Sequence, residues 1–177
     1  MQKSDAQNTY DTLKLNGIPN NSYDNFKNKQ LPTSAYLIVR NKNTGKILFE
    51  TNINNGKCIE CYDKLTNRAD SFYLKKDFSN AILLYSTAFK LNDDKGKVKH
   101  RLNSACCYVQ LNDFNSAFEE LNRIVFVGKF YNAYTLTSSD CLKPLQKDAR
   151  WKPLLDEMIK NIESIQKKLE TETNTHQ

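Results

Sequence analysis

The chain has 177 residues, with 26 Lys and Arg against 20 Asp and Glu, a formal net charge of +6. Hydrophobic residues make up 39% and charged residues 26%, the composition of a globular protein with a modest core. Five Gly and four Pro exclude collagen-like and Gly-rich chains, and no apolar run approaches the roughly 20 residues of a membrane-spanning helix.

Residues 1–33 are polar and rich in Asn, Ser and Lys, broken by Gly17, Pro19 and Pro32. They predict a polar arm that is poorly ordered or docked on the rest. Residues 34–57 predict a β-hairpin. Tyr36, Leu37, Ile38 and Val39 form one β-prone run, and residues 46–51 form a second. Between them lie Asn41, Asn43 and Gly45, residues that accept the positive φ of a tight turn.

From Tyr62 the apolar spacing becomes helical. Ala69, Phe72, Tyr73, Ala81, Ile82, Tyr85, Ala88 and Phe89 recur at steps of mostly three and four, and residues 75–78 interrupt them as a turn. After a polar break at residues 91–96, where Asp93 and Asp94 read as turn residues, a second helical pair follows. Its first helix covers residues 101–110 and its second runs from 115 to about 125. The two pairs are one unit written twice. Ala69 returns as Ala105, Phe72 as Tyr108, Asp77 and Phe78 as Asp113 and Phe114, Ala81 as Ala117, Tyr85 as Leu121 and Ala88 as Ile124, each 36 positions later (105 − 69 = 36). In residues 132–170, Leu142, Leu145, Trp151 and Leu155 are placed to close the second pair. A last helix from about Pro153 to Leu169 carries the stripe Leu154, Leu155, Met158, Ile162, Ile165 and Leu169. Residues 171–177 read as a disordered tail.

Ala69, Phe72, Ala81, Tyr85 and Ala88 resemble the small and aromatic positions of the tetratricopeptide repeat, and Ala105, Tyr108 and Ala117 repeat three of them. Asp148, Arg150 and Trp151 are similar to the segment that closes many bacterial arrays of this family. The resemblance covers residues 62 to about 131 and implies a mainly α fold: a short α-solenoid of two helical hairpins, with an N-terminal β-hairpin and arm. It further implies a concave groove lined by the first helix of each pair, at Thr66, Asp70, Tyr73, Lys99, Leu102, Asn103, Cys106 and Val109. A protein or peptide partner would lie there. Asn103 matches one residue of the clamp by which chaperone-binding members hold a terminal carboxylate. Thr66 and Asp70 depart from it, and Asp70 would repel such a group.

Catalysis finds little footing. His100 and His176 are the only histidines, and no phosphate loop, nucleophile elbow or zincin helix is present. The expected function is therefore a non-catalytic interaction module with no cofactor, no metal and no evident small-molecule substrate. The alternative is a redox or metal module built on Cys58 and Cys61, although a zinc site needs about four ligands. Cys106 and Cys107 read as small buried hydrophobes. Lys95, Lys97, Lys99, His100 and Arg101 form the tightest cationic cluster, read as a solvated loop and helix start, so nucleic acid is disfavoured. Residues 1–5 are not followed by the apolar stretch of a secretory signal, which predicts a cytoplasmic protein. Alternatively, Gln2 opens the mature chain of an exported or periplasmic protein, and Cys58 and Cys61 are then bridged.

Overall fold

The computed structural model describes residues 34–54 and 60–174. The polar arm and the last three residues lie outside the described residues. The fold is mainly helical with one two-stranded antiparallel sheet, and the chain divides into two compact units, Met1–Gly96 and Lys97–Gln177. The β-hairpin shares the first unit with the first helical pair, and the closing segment shares the second unit with the second pair. The expected segmentation, hairpin apart from a two-pair array, cuts across these units.

In the first unit β1 (Ser34–Arg40) pairs with β2 (Ile47–Asn54), Leu37 opposite Thr51 and Val39 opposite Phe49; a register slip before Arg40 leaves Leu48 without a partner in β1. The turn follows from its residues. The Asn41 Oδ1 accepts from the backbone N–H groups of Asn43 and Thr44, both at 3.0 Å, and Gly45 takes a φ of +68°, open to it without a Cβ. A lone hairpin is marginal in water. Here Leu37, Val39 and Leu48 are buried, β2 packs against both helices of the unit, and the Asn41 amide donates to Asn80 Oδ1 at 2.6 Å. Burying each of these three side chains contributes about 1.5–3 kcal/mol.

Helix α1 (Cys61–Leu74) turns back into α2 (Phe78–Leu91), and in the second unit α3 (Val98–Gln110) turns back into α4 (Phe114–Asn122). The repetition seen in the sequence extends to backbone atoms. Lys76 and Asn112, 36 apart (112 − 76), both have φ of +59°. Asp77 N–H donates to Phe72 O and Asp113 N–H to Tyr108 O, each at 2.9 Å. The Asp77 carboxylate caps α2 through Asn80 N–H, and Asp113 caps α4 through Ser116 N–H. Ala69, Ala81, Ala105 and Ala117 are all fully buried, which lets the paired helices approach closely.

Beyond Asn122, α4 widens into a π-helical stretch, Arg123–Val127, ending at Gly128, where an added Cβ would lie 2.7 Å from the Ile124 carbonyl oxygen. Next come a short helix α5 (Ala133–Thr137), a 3-10 segment (Asp140–Lys147) and α6 (Trp151–Asn174). Pro153 sits in the first turn of α6, where its missing N–H costs no helix bond. Leu142, Leu145, Trp151, Leu154 and Met158 are buried as expected, whereas Ile162, Ile165 and Leu169 are exposed. Among the described residues α6 packs against the π-helical stretch and the 3-10 segment, and the helix runs on to Asn174 through residues expected in the tail. Asn161, expected on no apolar face, is buried and donates to Val125 O and Phe130 O, both at 3.0 Å.

The closing segment is held by Arg150. Its guanidinium forks onto the Asp148 carboxylate at 2.8 and 2.9 Å, donates to Asn115 Oδ1 at 2.8 Å and lies 4.1 Å from the Phe118 ring centroid. The side-chain bonds from Arg150, then its backbone N–H, hold the Asp148 carboxyl down at about 2, below the about 3.9 of an unfolded aspartate. A depressed folded pKa contributes stability above the unfolded value and loses it as pH falls toward the folded one. Acid unfolding monitored from pH 4 to pH 2 should therefore flatten in Asp148→Asn. At the turns, Lys76→Gly should stabilise the chain by about 0.5–1 kcal/mol in urea titration, because a left-handed lysine costs more than glycine's added chain entropy. Asn112→Gly should change it little, since Asn tolerates that conformation.

Candidate functional site

The eight groove positions fare unequally. In the first unit Thr66 is fully buried and its hydroxyl donates to Asp63 O at 3.2 Å. Asp70 is half-buried and accepts from the hydroxyl of the buried Tyr85. Tyr73 is half-buried, its ring edge-on to Phe78 at 6.2 Å. In the second unit Cys106 and Val109 are buried, Leu102 and Asn103 half-buried, and Lys99 exposed. Thr66, Cys106 and Val109 are therefore closed off from a ligand, Cys106 by its bond to the 3-10 segment, and a ligand would meet the other five. Asp70 has a structural reason to be acidic: it accepts a hydrogen bond from a core tyrosine hydroxyl.

The outer face of α1 holds a feature that the sequence reading missed. Beside β2 lies a shallow groove of about 410 Å³, its strand wall formed by Phe49, Glu50 and Thr51 and its helix wall by Lys64, Asn67, Arg68 and Ser71. Positions 64, 67, 68 and 71 fall on one helical face. Arg68 donates from Nε to Leu48 O at 3.3 Å and lies 5.1 Å from the Phe72 ring centroid; its two terminal nitrogens find no acceptor among the described residues. Lys64 pairs with Glu60 at 2.8 Å, and the side-chain hydrogen bond from Lys64 lowers the Glu60 pKa. The signal was available, because Asn67 is the 36-residue counterpart of Asn103 (103 − 67). The β2 wall was not legible, since nothing in the local pattern says which helix a hairpin meets.

The cationic cluster needs correcting. Lys95, Lys97 and Lys99 are exposed, but His100 and Arg101 are buried. Arg101 donates from Nη1 to Glu120 Oε2 across to α4, with side-chain exposures of 4% and 12%. The helix starts at Val98, three residues before the expected Arg101, and its fourth residue, Arg101, turns inward to a carboxylate. At the equivalent positions of the first pair stand Leu65 and Leu84 (101 − 36 and 120 − 36), both fully buried.

The cysteines are also not all small hydrophobes. Cys106 of α3 is disulfide-bonded to Cys141 of the 3-10 segment, with Cα atoms 5.4 Å apart. Cys107 is buried and takes no part in a disulfide. Cys61 is disulfide-bonded and 1% exposed, and Cys58 lies outside the described residues. Among the described residues no group of three or more His, Cys, Asp or Glu is placed to hold a metal ion, and no helix is long and apolar enough to cross a membrane. Comparison with protein-family models, curated proteins and solved structures returns no match.

Removing one partner of a buried ion pair leaves the other charge stranded. Glu120→Ala should lower unfolding stability by about 3 kcal/mol in urea titration, and Arg101→Leu combined with Glu120→Leu should recover most of that loss.

Proposed function

We propose that this chain is a non-catalytic module of tetratricopeptide type that binds a protein or peptide partner through the first helix of each helical pair. One observation supports the reading above the others: the two hairpins share their turn, atom for atom, down to the left-handed residue and the aspartate cap. Repeated helical pairs of this kind are scaffolds that present side chains on one face rather than centres of reactivity. The outward positions of α1 and α3 carry suitable chemistry. Asn67 and Arg68 offer amide and guanidinium donors beside the strand wall, while on α3 Asn103, the counterpart of Asn67, and Lys99 offer amide and ammonium donors. An extended segment bearing carboxylates suits these donors.

The alternative, a redox or metal module at Cys58 and Cys61, has weaker support. Dithiol exchange needs an accessible sulfur, and Cys61 is 1% exposed.

A partner isolated on the immobilised wild-type chain tests the proposal by titration calorimetry. Asn67→Ala with Arg68→Glu, and separately Lys99→Glu with Asn103→Ala, should each weaken it by about tenfold or more, or about 1.4 kcal/mol, at unchanged melting temperature. Equal affinity in all three chains would count against these helices as the binding surface.

A further inference from the structure

The Cys106–Cys141 bond lies in the second unit and involves neither member of the Cys58 and Cys61 pair that the sequence brings forward. We propose that Cys106 and Cys141 form a structural disulfide that staples the closing segment to α3, and that the working form of the chain belongs to an oxidising compartment.

The argument starts from the repeat. Cys106 occupies the position of Asp70 in the first pair (106 − 70 = 36), and Leu121 the position of Tyr85 (121 − 85 = 36). In the first pair the acid is held by the tyrosine hydroxyl. In the second there is no hydroxyl to hold, and the side chain on α3 is a thiol facing Cys141. The 3-10 segment brings Cys141 to it, with Leu142 and Leu145 buried beside the bond. The Cα separation of 5.4 Å lies within the span of a disulfide. Cys107, the adjacent residue on α3, is buried and takes no part in a disulfide, so the helix turn discriminates between neighbouring sulfurs. Of the four described cysteines three are disulfide-bonded, a usage found where thiols are not kept reduced. That usage favours the exported expectation over the cytoplasmic one.

The bond forms by exchange with a disulfide oxidant such as oxidised glutathione. Cys141 is half-buried and Cys106 4% exposed, so the Cys141 thiolate attacks first and releases one glutathione thiolate. The Cys106 thiolate then attacks the mixed disulfide at the Cys141 sulfur and releases the second. Two protons leave the cysteines, and the oxidant takes up the two electrons.

The test uses the full chain refolded with oxidised glutathione, then unfolded and alkylated without reductant. Mass mapping should show peptides of Cys106 and Cys141 joined, with Cys107 carrying the label. Cys107→Ser should leave the link in place, and Cys141→Ser should melt about 5–10 °C below the oxidised wild type. Labelled Cys106 and Cys141 in the wild type, a Cys107–Cys141 link, or an unchanged melting temperature in Cys141→Ser would each overturn the assignment.

Discussion

A helix that must reverse within three residues has to place one of them in the left-handed region of the backbone. That requirement governs this molecule. Residues 75–77 and 111–113 are all that separate α1 from α2 and α3 from α4. The strain is met each time by a residue at φ of +59° followed by an aspartate whose carboxylate caps the returning helix. With the turn so short, the two helices leave it close together, and Ala69 and Ala81 in one pair and Ala105 and Ala117 in the other are fully buried. The placement of the larger core side chains, Tyr85 and Phe89 in one pair and Phe118 and Leu121 in the other, is set by the same geometry.

Much of this could be read from the chain alone, for an identifiable reason. Pattern signals survive in sequence: the helical spacing, the Asn and Gly of the hairpin turn and the apolar positions of the closing segment report on neighbours within a few residues, and the 36-step recurrence is visible because one local pattern is written twice. The failures have the opposite character. Arg101 was read as solvated because its partner, Glu120, lies 19 residues away. Cys106 was placed on a groove because Cys141 gives no local sign of itself at a separation of 35. Ile162, Ile165 and Leu169 continue a stripe whose spacing is faultless, yet spacing cannot say where the surface that covers it stops. Among the groove positions that the family resemblance implies, Lys99 is exposed and Asn103 half-buried. Thr66 is fully buried, because a threonine inside a helix can turn its hydroxyl to its own backbone.

The second unit shows how a loosened helix can be made good from outside. The π-helical stretch leaves carbonyl groups without the usual helical donors. Asn161, projecting from the middle of α6, supplies amide hydrogens to two oxygens in that region. This polar insertion into an otherwise apolar stripe ties the long last helix to one register along its partner. Arg150 does the same at the other end, reaching Asp148, Asn115 and the Phe118 ring at once. The closing segment is thus fastened by directional contacts at both ends and by apolar burial between them.

Two hairpins so alike in sequence carry a hazard during folding, since the first helix of one could dock on the second helix of the other. The exchange of Leu65 and Leu84 for Arg101 and Glu120 at matching positions removes that ambiguity. Either crossed pairing would set an aliphatic side chain against a charge deprived of its counterion. The nascent chain is thereby steered to pair each helix with its own sequence neighbour.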